Sequence, residues 1–379
     1  MITGRDFIFT GLQPWDISIG SNAKDIALEI SKNNRVLYVN APRKGISNYK
    51  INKITDNLWT LDTPVKMVPI NTLPDGFMFD YINKFNQKRI SKYIIFAIKK
   101  LRLNNYIHII DNDIYNSFFL KEFLRTSYTL YYRRDNMLNV QYWQKHAPRL
   151  EPLLCEKCDC VISNSLELAD AVRPYNKNVF DVGQGVDLSN YSPEIKYIIP
   201  SDISSISHPI IGYAGMITSL RLDVELIYNF AKNKEEISFV FVGKEDNIFK
   251  AHKIHQLRNV YFLGAKDPSL MPNYISAFDI CINPQVINMI TIGNYPRKID
   301  EYLAMGKPTV ATETHTMKDI FSDYVFLASN TDEYIKAIDN AILEIGDEKK
   351  AKKRIDFAHT HSWANSVEEI YKCIENFGA

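Results

Sequence analysis

Residues 295–312 read YPRKIDEYLAMGKPTVAT, and the organisation of the chain is read outward from them. Pro296 suits the first turn of a helix, where its missing N–H would have had no partner. Ile299, Tyr302 and Leu303 then recur at helical spacing. Gly306 ends the helix, Lys307 sits at its negative end and Pro308 prevents continuation. Thr309–Thr312 follows as a short buried strand. A helix that starts after a loop and leads into a core strand offers its N-terminus to an anion. Lys298 and Glu301 stand on its first turns, where a cation suits a diphosphate and a carboxylate suits a ribose diol. By spacing alone, the same residues read equally as a surface helix with one ion pair.

The chain has 379 residues, more than one ordinary core holds, so two domains are expected. Its 46% hydrophobic and 23% charged residues are those of a globular protein. A net charge of +1 gives no global argument for nucleic acid. Five cysteines, an odd number, argue against a disulfide framework and fit a reducing, cytoplasmic setting. The opening MITGRDFIFTG lacks the apolar stretch of a signal peptide, and no apolar run is long enough to span a membrane.

In the first half, Asp6–Thr10 reads as a strand, a helix capped by Ser21 or Asn22 follows, and Arg35–Asn40 is the next strand. Strand, helix, strand at this spacing argues for a parallel α/β unit. The intervening loop carries Trp15 and Asp16. Further strands are expected at Ile107–Asp111, Tyr128–Arg133, Cys160–Asn164 and Val179–Val182. Leu188–Pro209 has three prolines and little periodicity, a linker composition. Strands at Ile210–Gly215, Ser238–Gly243, Val260–Gly264 and Ile280–Pro284, alternating with helices, then give a second parallel sheet. Cys155, Cys158 and Cys160 lack the fourth ligand of a structural zinc site. His252 and His255 lack a third, so no metal is expected.

The pattern P-x-K-x-x-E-Y-L-A-x-G-K-P-x-V, from Pro296 to Val310, resembles the nucleotide-sugar motif of the family-4-like GT-B glycosyltransferases. It is most similar to the subgroup that builds bacterial surface polysaccharides, including glucuronosyl- and teichuronic-acid-type transferases. The resemblance is weak in the first half and close from about residue 205 onwards. It implies two Rossmann-like parallel-sheet domains facing a cleft. Residues 1–200 would bind the acceptor, 205–360 the nucleotide sugar, and 361–379, opened by Trp363, would form a helix crossing back to the first domain. Val182-Gly-Gln-Gly-Val-Asp187 resembles the family's strand-end element before the linker, with Gln184 where Asn is usual.

By that resemblance Glu301 holds the ribose, while Lys298, Gly215 and Arg221, six residues after Gly215, form the diphosphate site. Arginine suits it through bidentate phosphate contact. Tyr131-Tyr-Arg-Arg-Asp135 resembles the strand ending in an acid that faces the acceptor, so Asp135, with Asp16 second, is the expected general base. Each aspartate also reads as an ordinary turn or ion-pair residue. Gly293 replaces the glutamate usual eight residues before Glu301, which leaves the stereochemistry open.

The expected function is therefore metal-independent, cofactor-free transfer of a sugar from a nucleoside-diphosphate sugar, UDP-linked, to a saccharide or lipid-linked saccharide. The alternatives are a nucleotide-sugar 2-epimerase and an inactive GT-B scaffold. Residues 84–102, KFNQKRISKYIIFAIKKLR, carry seven cations and no acid. Ile90, Tyr93, Ile94, Ala97 and Leu101 lie at helical spacing among them. This reads either as a basic amphipathic helix lying on an anionic membrane, making the protein peripheral, or as scaffold with solvated lysines.

Overall fold

The computed structural model describes residues 2–17, 20–43, 45–288, 291 and 295–376. The chain divides into two units: one runs to Gly185 and resumes at Trp363, and the other is Val186–Ser362.

The first unit is built on an eight-stranded sheet. Its strands are β1 (Asp6–Gly11), β2 (Arg35–Val39), β3 (Lys50–Lys53), β4 (Leu58–Asp62), β5 (Ile107–Asp111), β6 (Tyr128–Arg133), β7 (Cys160–Ser163) and β8 (Val179–Asp181). Their order is β3-β4-β2-β1-β5-β6-β7-β8. Every pairing is parallel except β3 with β4. β1, β5 and β6 are buried at every residue, as strands covered on both faces must be. The helix Trp363–Glu375 completes this core: Trp363, Val367, Ile370 and Ile374 join Phe7, Phe9, Ile26 and Ile109. Asn34 Nδ2 donates to the Tyr371 hydroxyl at 2.9 Å. Gly185 lets Trp363 approach, because a Cβ there would lie 2.4 Å from its ring.

The second unit carries β9 (Ile210–Ala214), β10 (Ser238–Val242), β11 (Val260–Gly264), β12 (Ile280–Asn283), β13 (Thr309–Thr312) and β14 (Phe326–Ala328). Their order is β11-β10-β9-β12-β13-β14, all parallel.

Three expectations need correction. The boundary expected between residues 200 and 205 falls at Gly185–Val186. The supposed linker belongs to the second unit because its apolar residues Leu188, Ile203 and Ile206 are buried in that unit's core. The helix of the opening motif is Lys298–Ala304, only seven residues, entered through Arg297 rather than started at Pro296. Any anion held here is therefore held by side chains, and Lys307 does not cap that helix; its Nζ donates to Ser276 O and Phe278 O at 2.9 and 2.6 Å. The basic helix extends further than expected, Phe77–Leu101, and its apolar residues Ile90, Ile94 and Ala97 are buried in the core. That face is not free to meet a bilayer.

Candidate functional site

In the second unit, Gly215, Arg221, Lys298 and Glu301 line one cavity of about 390 Å³. Each arrives from a different local device. β9 runs directly into Gly215, whose φ of +142° is open only to glycine at little cost. A Cβ there would lie 3.1 Å from Lys298 Nζ, and a Cβ on Gly243 would lie 1.7 Å from the Gly215 carbonyl oxygen. The paired strand ends therefore meet only because Gly243 lacks a side chain, while the bare Gly215 leaves room for the Lys298 ammonium.

Arg221 sits on a turn fixed from two sides. Asp246 accepts from Ser219 N and Oγ at 2.7 and 2.8 Å and from Thr218 Oγ1 at 3.1 Å. Val286 N donates to Arg221 O at 2.9 Å. Burial works against the Asp246 charge, but the N–H groups of Phe249 and Ser219 and the two hydroxyls outweigh it and hold its carboxyl at about 2.

The helix Lys298–Ala304 presents alternating roles. Ile299, Tyr302 and Leu303 go to the core. Lys298 and Glu301 go to the cavity with Arg297 and Tyr295. Lys298 Nζ donates to the Tyr213 hydroxyl at 2.6 Å and lies 4.1 Å above that ring. Burial pushes the Glu301 carboxyl up, while Arg297, Lys298 and a side-chain hydrogen bond with Tyr191 act in the opposite sense. Asp300, wholly buried, accepts from the Tyr295 hydroxyl at 2.8 Å and is bonded to His361 Nδ1 at 2.7 Å. Tyr295 is thereby fixed in the cavity wall. Arg297, Tyr191, Tyr213 and Tyr295 were not singled out by sequence; only Arg297, beside Lys298 in the motif, carried a signal. Gly293 lies outside the described residues.

The first unit treats its expected residues differently. Asp16 is 63% exposed and paired with Arg43 at 2.6 Å, and the Arg43 hydrogen bond lowers its carboxyl. Trp15 packs edge-on against Tyr38 at 5.2 Å. Asp135, 42% exposed, accepts from Arg134 Nη1 at 2.6 Å, while Arg134 also forks onto buried Asp111 at 2.8 and 3.2 Å. The two aspartates are thus held by different arginines. Gln184 is buried; its carbonyl accepts from Asn22 and Asn164 at 2.8 Å each, so the Gln-for-Asn departure serves a polar junction of the core. Cys155, Cys158 and Cys160 are buried and free. His252 and His255 pair with Glu225 and Glu245 at 3.0 Å.

Comparison with known proteins accords with this geometry. Residues 208–344 match the family described as Glycosyl transferases group 1. A Bacillus subtilis (strain 168) protein named as a teichuronic acid biosynthesis glycosyltransferase, TuaH, is 25% identical over 248 residues. That match covers 63% of this chain and 62% of TuaH, under two thirds of that relative's length. Among solved structures, a glycosyltransferase from Rickettsia africae superposes with a TM-score of 0.69 at 13% identity, over 99% of this chain and 98% of that one. HepE of Anabaena, in complex with UDP, gives 0.66 at 14% identity over 98% and 100%. Sucrose-phosphate synthase from Thermosynechococcus elongatus gives 0.65 at 14% over 98% of each. By fold the chain is a GT-B protein with two Rossmann-like parallel-sheet domains. The stretch similar to the group 1 glycosyl transferases lies wholly within its second unit.

Proposed function

We propose that the protein is a glycosyltransferase that moves a sugar from a nucleoside-diphosphate sugar, UDP-linked, to a saccharide or lipid-linked saccharide in surface-polysaccharide synthesis. The observation that carries this reading is the convergence of Arg221, Arg297 and Lys298 around Glu301 in one cavity of a group 1 domain. The teichuronic-acid assignment of TuaH and the UDP held by HepE support the same donor and pathway class. An acceptor oxygen attacks the anomeric carbon, the bond from that carbon to the diphosphate oxygen breaks, and the acceptor proton passes to a base. Three cations stabilise the charge growing on the leaving diphosphate, the term that dominates such a step. Transfer then needs no metal. Asp135 is the base in this reading, with Asp16 second.

The test is a mass-spectrometric screen of nucleotide sugars for transfer or slow hydrolysis, with and without EDTA. Release of UDP from one donor, insensitive to EDTA, is expected. Release from none, or full metal dependence, overturns the reading.

A lipid-linked acceptor would be met at a membrane. No helix among the described residues is long and apolar enough to cross one. The solvent face of Phe77–Leu101 carries Phe77, 82% exposed, and Tyr81, 64% exposed, with Phe85, Phe96, Lys88, Lys92, Lys99 and Lys100. Aromatic rings beside lysines that pair with no acid among the described residues suit an anionic bilayer, each cation contributing about 1 kcal/mol near its surface. Replacing those four lysines with Gln should abolish sedimentation with anionic vesicles and leave UDP binding unchanged. Equal sedimentation of variant and wild type would make this helix scaffold only.

A further inference from the structure

We propose that Tyr213 is a positioning residue that aims Lys298 at the donor diphosphate, an inference that rests on the donor-site reading above. Tyr213, near the end of β9, is 1% exposed, and its ring and hydroxyl are fixed by the core and by donation to Met216 O at 3.1 Å. The hydroxyl oxygen therefore turns its acceptor side to Lys298 Nζ at 2.6 Å. The ring face lies 4.1 Å from the same atom, and Gly215 leaves the remaining approach open.

The chemistry of this partner matters more than its presence. A lysine is a point charge on a flexible four-carbon stem, so holding it in one place beforehand removes an ordering cost from ligand binding. A carboxylate would hold it too, but would cancel its charge. Among the described residues no acid lies within ion-pair distance of Lys298 Nζ; its side-chain hydrogen bond goes to a neutral phenol. One of three ammonium protons is used, and two remain for phosphate oxygens. Glu301 has the matching arrangement, because its partner Tyr191 is also a phenol and orients the carboxylate without neutralising it. Both charges of the motif are thus steered by uncharged hydroxyls.

The test is calorimetry of wild type, Tyr213→Phe, Lys298→Ala and the double variant with UDP and with uridine. Tyr213→Phe retains the ring and removes only the hydroxyl. UDP affinity is expected to fall about tenfold, the scale of one hydrogen bond to a charged group, with uridine affinity unchanged. In the Lys298→Ala background Tyr213→Phe is expected to add nothing, since the tyrosine acts through the lysine. Equal losses for UDP and uridine, or additive effects in the double variant, overturn the proposal. Should Tyr213→Phe fold poorly, Lys298→Arg tests it from the other side: charge is kept and the seat is lost, so UDP affinity is expected to fall by a similar factor. Wild-type UDP affinity in Lys298→Arg overturns it. Wild-type protein that binds no nucleoside diphosphate refutes the donor-site reading, whereas wild type that binds UDP no better than Tyr213→Phe refutes the role of the tyrosine alone.

Discussion

At the carboxyl edge of the first sheet Arg133 is closed onto Glu151, Arg134 onto Asp111 and Asp135, and Arg43 onto Asp16. At the corresponding edge of the second sheet, Arg221, Arg297 and Lys298 share a cavity with the single carboxylate Glu301. The first arrangement satisfies its charges within the chain, and the second leaves positive charge over for a ligand. The difference separates arginines whose charge is met within the chain from cations left over for the proposed substrate, though all of them look alike in sequence.

The sharpest way to break this comparison is to remove one cation from each side and measure stability. Arg133 and Glu151 are both 2% exposed, and the Tyr131 hydroxyl also donates to Glu151 at 2.9 Å. Arg133→Met leaves a buried carboxylate without its cation, so chemical denaturation should show a loss of about 3–5 kcal/mol. Lys298→Ala should change the same measurement by no more than about 0.5 kcal/mol. Similar losses in both would erase the distinction.

Next in size is Asp135→Asn, which should lower turnover about a hundredfold or more while leaving UDP affinity at the wild-type value. Normal turnover would pass the role to Asp16, tested by Asp16→Asn in the same assay.

Acid titration probes the turn beneath Arg221. With its folded value at about 2, below the ordinary aspartate value, Asp246 contributes stability that is fully present above about pH 4 and lost as pH falls towards 2. The contribution is at most about 2 kcal/mol. Asp246→Asn should flatten that part of the stability profile, and an unchanged profile would show that the turn does not depend on the charge. Smallest is Glu301→Ala: about a tenfold loss of affinity, shared by UDP and uridine because the ribose is common to both. Unchanged affinity in calorimetry would remove Glu301 from the site.

The residues that line the second unit's cavity were legible because Lys298 and Glu301 stand in one contiguous motif and Gly215 and Arg221 keep a short fixed spacing. Its tyrosines were not, because Tyr213 meets Lys298 across 85 residues of sequence. Most strands were readable to within a residue, since parallel strands buried on both faces are continuous apolar runs. β3 and β4 escaped notice: β3 reads KINK, an exposed antiparallel edge whose charges hide its strand character. In Phe77–Leu101 the periodicity of Ile90, Ile94 and Ala97 was real, but periodicity does not say whether core or membrane covers the apolar face. For Leu188–Pro209, composition suggested a free linker, and three buried apolar side chains overruled it.

The path of the chain bears on the order in which the protein is made. Val186–Ser362 is a single uninterrupted segment, and its two ends are joined where Val186 N donates to His361 O at 2.9 Å. The first unit, although most of it precedes that segment in the chain, lacks Trp363, Val367, Ile370 and Ile374 until the helix Trp363–Glu375 has been translated. On the ribosome the second unit is therefore the first to possess its whole core, while the earlier-made sheet waits with Phe7, Phe9 and Ile26 incompletely covered. A nascent chain stalled before Trp363 carries a finished second unit and an unfinished first one, and it is the first that a chaperone or protease would meet.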